Sequence, residues 1–300
     1  MILLWGTADD PPLAAVAAAL DRRGAAHVLV DERAPVPAST RFRFGDRLEG
    51  RVGPLDLDTV AAAFIRPQGV HLGTVRGAEQ ARLHACLLAW TELTPALVVT
   101  RLSAQASNTS KLWQAVTARE VGFEVPDSLA TTEPAAARAF VDGRSGVIYK
   151  SLSSVRSIVR RLPPGERDRL EDVRACPTLF QAHIEGVDHR VHVVGSATFA
   201  TMVVSESDDY RYDQASERVA VELPGEVTDR CRALAEALAL PVAGIDLRRT
   251  PEGRWVCFEA NPAPAFPYFE AGTEIADAVA ALLDGPPPAV TGAGSATPRG

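Results

Sequence analysis

The stretch GIDLRRTPEGRWVCFEANPAP, Gly244 to Pro264, decides how the rest of the chain is read. Two apolar-rich runs, Gly244 to Arg249 and Arg254 to Asn261, flank Pro251-Glu252-Gly253, where glycine supplies the positive φ that a tight hairpin needs. A turn centred between Glu252 and Gly253 sets Asp246 opposite Glu259, with Asn261 diagonal to them on the same face. The same register sends Ile245, Leu247, Val256, Phe258 and Ala260 to the other face, toward a core. Two carboxylates facing each other across a ladder repel. A hard divalent cation removes the repulsion, and Asp, Glu and Asn oxygens suit Mg²⁺, which keeps part of its shell for water and phosphate. An amphipathic hairpin with one wet face and no metal fits the same alternation.

Upstream of the hairpin, two lysines stand out. In Ser107-Asn108-Thr109-Ser110-Lys111-Leu112-Trp113-Gln114, polar capping residues precede a helix that runs to about Val121 and ends at Gly122. Lys111 falls in the first turn, where the positive helix end disfavours a cation and an anionic partner would relieve it. Glu133 to Val141 reads as a helix and Val147 to Lys150 as a strand with Lys150 at its far end. Ser151 to Ser157 follows as a small polar loop bearing Arg156. A lysine at a strand end beside such a loop can neutralise phosphate oxygens, and a plain solvated lysine fits equally. Thr178 to Ile184, Asp188 to Val194 and Ala197 to Val204 read as strands joined by Glu185-Gly186 and Gly195-Ser196. Asp188, Arg190 and His192 share one face of theirs, and His189, Val191 and Val193 the other. His189 and His192 therefore diverge, which argues against a zinc site. Arg211 lies in the polar loop Ser205 to Tyr212, where its own acidic neighbours could pair with it. Thr228 to Leu240 and Thr273 to Leu283 are expected helices.

The first hundred residues have a βαβ opening: a buried strand Ile2 to Gly6, a helix Pro11 to Arg23 with Gly24 past its end, and a strand His27 to Asp31. No glycine fingerprint separates strand from helix, so no dinucleotide is expected there. Arg41 to Phe44 and Val60 to Ile65 read as strands, Arg76 to Trp90 as a helix, and Pro95 to Arg101 as a closing strand. Arg66-Pro67 is either a plain loop arginine or a cation aimed at an interdomain cleft.

With 300 residues, 46 % of them hydrophobic, the chain can hold two or three domains. A net charge of -7 without basic blocks argues against nucleic acid as a partner. Cys86, Cys176, Cys231 and Cys257 form no CxxC pair and read as small buried apolar residues in a reducing compartment. No signal peptide or spanning segment is evident, so a cytoplasmic protein with no membrane partner is expected. The Pro-, Gly- and Ala-rich end, 286–300, is expected to be disordered.

Taken together, Lys111, Lys150, Gln181, Asp188, an arginine, then Asp246 and Glu259-x-Asn261 follow one another in an order that resembles the ATP-grasp superfamily of carboxylate ligases. SNTSKLWQAVTAREVGFEVPDS, QAHIEGVDHRVHVVG, DYR, FEANPAP and Ile65-Arg66-Pro67 look most like the branch that holds the ribosomal-protein glutamate ligases and the microviridin-type (graspetide) peptide-maturing ligases. The resemblance implies α/β and α+β architecture: an N-terminal α/β pre-ATP-grasp domain over 1–101, a central ATP-grasp subdomain over 102–180 and a C-terminal one over 181–285, with the last two clamping ATP. It implies that Lys111 and Lys150 contact the nucleotide phosphates, that Gln181 and the backbone at His183 and Ile184 read the adenine edge, and that Asp188 binds ribose. Asp246, Glu259 and Asn261 would hold Mg²⁺, with Mn²⁺ as an alternative ion, while Arg190 and Arg211 face the transferring phosphoryl group. The expected activity is ATP-dependent joining of a carboxylate, activated as an acyl phosphate, to an amine or hydroxyl of a peptide or protein. A small-molecule amino-acid ligase and a catalytically silent nucleotide-binding scaffold are the alternatives. A homodimer is kept as the candidate assembly.

Overall fold

Five consecutive buried residues, Ile2–Gly6, form β1. Asp10 then caps α1 (Pro11–Arg23) by accepting from the Leu13 N–H at 3.1 Å, Pro11 and Pro12 suit the first turn, and Gly24 ends the helix at φ 66°. The protein is seen in a computed structural model that describes residues 1–45, 48–68, 75–152, 160–204, 217–269 and 272–286, without the side chains of Val75, Arg76 and Pro164. The chain groups into two units, Met1–Val99 with the residues from Ala280, and Thr100–Val279.

In the first unit, β2 (His27–Asp31) and β6 (Ala62–Arg66) lie parallel to β1 on either side, and β7 (Leu97–Val99) follows β6, giving the order β2-β1-β6-β7. A separate antiparallel sheet holds β3 (Arg41–Phe44), β4 (Leu48–Val52) and β5 (Leu55–Asp56). Only β3 was legible, because β4 and β5 are short and mix Glu, Arg and Asp with their apolar residues. Helix α2 (Val75–Leu93) sends Leu87 and Trp90 into a core with Leu3, Trp5, Ala63, Ile65 and Val98. Each such fully buried side chain contributes roughly 1.5–3 kcal/mol.

The second unit opens with α3 (Leu102–Gln105) and α4 (Lys111–Glu120), the latter capped by Ser110, whose hydroxyl accepts from the Trp113 N–H. Next come β8 (Ser128–Thr131), α5 (Pro134–Asp142), β9 (Val147–Ser151), β10 (Arg160–Arg161), a 3-10 helix (Pro164–Ala175) and β11 (Thr178–Ala182). The four strands make an antiparallel sheet in the order β10-β9-β11-β8. Tyr149 and Phe180 turn to the helices and pack with Phe140 and Leu170. Period two then turns Lys150, Leu179 and Gln181 to the opposite face.

A five-stranded antiparallel sheet completes this unit: β12 (Val187–Val194), β13 (Ala197–Val204), β14 (Glu217–Val221), β15 (Val242–Arg249) and β16 (Trp255–Asn261), in the order β14-β13-β12-β15-β16. Helix α6 (Gly225–Ala237) covers one face, where Val227, Cys231 and Leu234 meet Val191, Val193, Ile245 and Leu247. A last helix, α7, spans Glu274–Asp284. The loop Ser205 to Tyr212 and the end 287–300 lie outside the described residues.

The hairpin of β15 and β16 keeps the expected pairing at its site end and loses it near its tip. Asp246 pairs with Glu259, but Leu247 pairs with Cys257, Arg248 with Val256 and Arg249 with Trp255, because the ladder bulges between Asp246 and Leu247. Gly253 has φ 85° and donates to the Thr250 carbonyl. The extra residue reverses the parity on the tip side. Cys257 therefore joins Leu247 in the core, and the expected core positions Val256 and Phe258 fall out of that cluster. Phe258 lies instead beside Arg248, its ring centre 5.3 Å from the guanidinium carbon.

The cysteine expectation also needs correction. Cys231 and Cys257 are buried, Cys86 is half-buried and Cys176 is exposed. Burial pushes the Cys231 thiol up to about 12 and Cys257 well above the ordinary range, so both are inert packing residues. Among the described residues no helix is long and apolar enough to cross a membrane.

Candidate active site

Antiparallel register assembles the site row by row on the sheet face opposite α6. Thr201, Arg190, Asp246 and Glu259 are successive partners across β13, β12, β15 and β16. The next row holds Phe199, His192, Gly244 and Asn261. On the other side of the first row stand Val203, Asp188 and Arg248.

Two acids lie side by side in the first row, each with a cation on its outer side. Arg190 Nη1 donates to Asp246 Oδ1 at 2.6 Å, with Arg190 only 5 % exposed. At the far end, Lys111 Nζ lies 3.9 Å from Glu259 Oε2. Two opposed carboxylates are thus bracketed by two cations. Lys111, expected to sit uneasily in a first helical turn, has Glu259 as its anionic neighbour. The Asp246 and Glu259 side chains keep 19 % and 23 % of their surface open. Asn261 Oδ1 accepts from the Ala263 N–H at 2.8 Å, which fixes the amide on its turn. Among the described residues no group of three or more His, Cys, Asp or Glu could hold a metal ion. Two carboxylates and an amide oxygen on a half-open surface fit a hard divalent ion that keeps water and phosphate in its shell.

Gly244 has to be glycine. A Cβ there would stand 2.3 Å from Arg190 Nη2 and 2.8 Å from the Pro264 Cβ. Phe269 covers the same region: its carbonyl accepts from Thr201 Oγ1 at 3.2 Å, and its ring lies 5.4 Å from the Arg190 guanidinium carbon and 5.5 Å from the His192 ring. His192 is fully buried, and neither ring nitrogen has a hydrogen-bond partner. Burial, with Arg190 adding to it, holds this imidazole neutral well below its ordinary range. His189 faces the other way, against Trp255.

Asp188 accepts two bonds from Arg248, from Nε and Nη2, at 2.8 Å each, and Arg248 Nη1 donates to the Ile184 carbonyl at 2.7 Å. Burial raises the Asp188 carboxyl above its usual range against the opposing pull of Arg248. Gly186 closes the intervening turn, where a Cβ would meet the Arg249 carbonyl oxygen at 2.3 Å. His183 donates its N–H to the Gly146 carbonyl at 3.0 Å.

Lys150 and Gln181 form a second group, on the four-stranded sheet. Lys150 Nζ donates to Gln181 Oε1 at 3.3 Å, Gln181 Nε2 donates to Ser128 Oγ at 3.3 Å, and both long side chains are buried. A buried lysine with an amide partner is not the solvated strand end that the sequence also allowed. Arg66 is not a plain loop arginine: its Nε lies 2.5 Å from Asp10 Oδ2, within the first unit. Arg211 and most of the loop Ser151 to Ser157 lie outside the described residues.

Sequence reasoning missed Arg248 and Gln114. Arg248 sits in a run of two arginines that names no partner, and its carboxylate lies 60 positions away. Gln114 Nε2 donates to the Ala260 carbonyl at 2.7 Å, and the Ala260 N–H donates to Gln114 Oε1 at 3.2 Å.

No family model matches the chain, and no curated protein does. Solved structures do. The ATP-grasp ligase PsnB, complexed with a phosphomimetic variant of its minimal precursor, Mg and ADP, is 25 % identical over 94 % of this chain and 97 % of that one, with a TM-score of 0.78. A Chryseobacterium gregarium RiPP-associated ATP-grasp ligase in complex with ADP and a leader and core peptide is 21 % identical over 94 % and 96 %, with a TM-score of 0.82. The macrocyclase MdnC from Microcystis aeruginosa MRC, bound with precursor peptide MdnA, is 21 % identical over 94 % and 99 %, with a TM-score of 0.77. The fold is that of the ATP-grasp ligases, and the similarity runs to their peptide-maturing branch, as the sequence motifs suggested.

Proposed function

We propose that this ATP-grasp ligase activates a carboxylate with ATP and joins it to an amine or hydroxyl within a peptide substrate. The observation that carries the reading is the row Arg190, Asp246, Glu259, with Lys111 against its end. It gathers anionic ligands for a metal and cations for phosphate at one place. The peptide substrate is supported by the likeness to PsnB and MdnC, both of which have been seen with precursor peptides.

A carboxylate attacking the γ-phosphate brings two anions together, so the site has to neutralise both and hold them in line. Asp246, Glu259 and Asn261 would hold Mg²⁺, which when bound supplies positive charge to the phosphate oxygens. Lys111 and Lys150 contact phosphate oxygens as point charges. Arg190, steadied by Asp246, faces the transferring phosphoryl group, and Arg211 shares that role on the sequence resemblance alone. Gln181 and the backbone at His183 and Ile184 read adenine, and Asp188 takes the ribose hydroxyls. A carboxylate oxygen attacks the γ-phosphorus, the bond to the β,γ-bridging oxygen breaks, and ADP leaves. The amine or hydroxyl then attacks the acyl carbon, phosphate departs, and solvent takes the proton. The acyl phosphate has to be kept from water until the nucleophile arrives. The domains divide at 1–101, 102–180 and 181–285. A cytoplasmic location suits an ATP-consuming enzyme with four free cysteines.

The test is incubation with ATP, Mg²⁺ and short peptides rich in Thr, Ser, Lys, Asp and Glu, followed by ADP release and mass spectrometry. The expected product is a peptide lighter by one water for each ADP formed. ATP binding with no ADP release in the presence of any peptide or acid would identify a silent scaffold instead.

A further inference from the structure

We propose that Gln114 is the positioning residue for the candidate metal ligands of β16, an inference that rests on the ligase reading above. β16 is the last strand of its sheet among the described residues, and apart from a single bridge between Val256 and Glu124 one side of its backbone meets no other described strand. Glu259 and Asn261 pair with Asp246 and Gly244 on β15. Ala260, between them, turns its N–H and C=O outward, as alternate residues of an antiparallel strand do.

Both outward groups go to one side chain, the Gln114 amide, at 2.7 and 3.2 Å. The Ala260 nitrogen belongs to the peptide plane shared with Glu259, and its carbonyl to the plane shared with Asn261. Peptide planes are rigid, so holding both fixes the directions from which the two candidate ligands leave the backbone. Gln114 and Ala260 are 4 % and 1 % exposed, which leaves little access for water to take over either bond. The same helix carries Lys111 one turn earlier, against Glu259. One face of α4 thus sets the backbone between two ligands and places a cation beside one of them.

Glutamine is the side chain that meets this need. Asparagine is one methylene shorter, glutamate lacks the donor for the Ala260 carbonyl, and methionine keeps the length with neither bond. Ligand-orienting partners of this kind tune metal affinity without touching the metal.

The experiment titrates the full chain with Mn²⁺ at saturating AMPPNP, reads bound Mn²⁺ by electron paramagnetic resonance, and measures AMPPNP affinity without metal in parallel. Gln114→Met is expected to raise the half-saturating Mn²⁺ concentration roughly tenfold, with metal-free AMPPNP affinity changed less than about twofold. Gln114→Glu, which keeps the acceptor for the Ala260 N–H, is expected to give a smaller shift and serves if the methionine variant does not fold. A merely structural glutamine would change thermal stability and leave the Mn²⁺ midpoint in place; that result in both variants overturns the proposal. Wild-type chain that takes up no Mn²⁺ with AMPPNP would overturn the metal assignment itself, and this proposal with it.

Discussion

Arg248 grips Asp188 with two hydrogen bonds of 2.8 Å and holds the Ile184 carbonyl with a third, so one guanidinium spans both ends of the turn before β12. Removing it strands a carboxylate that burial already strains. Arg248→Ala should lower stability by about 3 kcal/mol, the lower end for a broken buried pair because both side chains keep some exposure. Urea unfolding at neutral pH checks this. ATP affinity should fall as well, if the turn carries the adenine and ribose contacts. An unchanged urea midpoint would mean that the pair is ornamental.

Glu259→Ala should cut peptide-dependent ADP release by at least about 100-fold while the thermal midpoint moves by only a few degrees. The Glu259 side chain keeps 23 % of its surface open and lies outside the core cluster on the α6 side of the sheet, so the loss is chemical. Normal ATP turnover in that variant would remove Glu259 from the site.

Lys150→Met keeps most of the buried stem and deletes the charge that faces Gln181. The dissociation constant for ATP should rise roughly tenfold, about 1.4 kcal/mol. Calorimetric titration with ATP is the direct measure. Equal affinities would reduce Lys150 to a packing residue that happens to hold an amide.

His192 gives the sheet a pH dependence. In the unfolded chain the imidazole takes up a proton near about 6.5, whereas the folded chain keeps it neutral to well below that. More protons on the unfolded state mean that stability is complete above this range and declines as the pH falls through it, by up to about 1.4 kcal/mol per unit from this one group. His192→Phe should therefore flatten the loss of stability between about pH 7 and pH 5. Parallel curves for the two proteins, by urea unfolding at each pH, would show that another group is responsible.

The parts of this architecture that could be read from residues alone are those where a local rule has one answer. Gly253 and the alternating runs beside it set Asp246 against Glu259, and Asp188, Arg190 and His192 share a face because strands repeat every two residues. The bulge escaped because Val256, Cys257 and Phe258 are all apolar: either parity offers a plausible core. The edge strands β8, β10 and β14 were missed since short strands beside polar segments carry little pattern. Partnerships across the fold were also hidden. Nothing around Gln114 announces Ala260, 146 positions on, and nothing near Asp10 announces Arg66.

The bulge between Asp246 and Leu247 also divides the hairpin into two independently tunable lengths. The end that carries the carboxylate pair is held by β12 on one flank and by α4 on the other, while beyond Arg249 the tip is held by its own turn and by the Arg254 pair with Glu124. A designer could lengthen, shorten or tag the tip and let the irregularity absorb the change, with the carboxylate pair left where it stands. The opposite holds for a tidy-minded edit: deleting the surplus residue to straighten the ladder would swap inside for outside along one half of the hairpin.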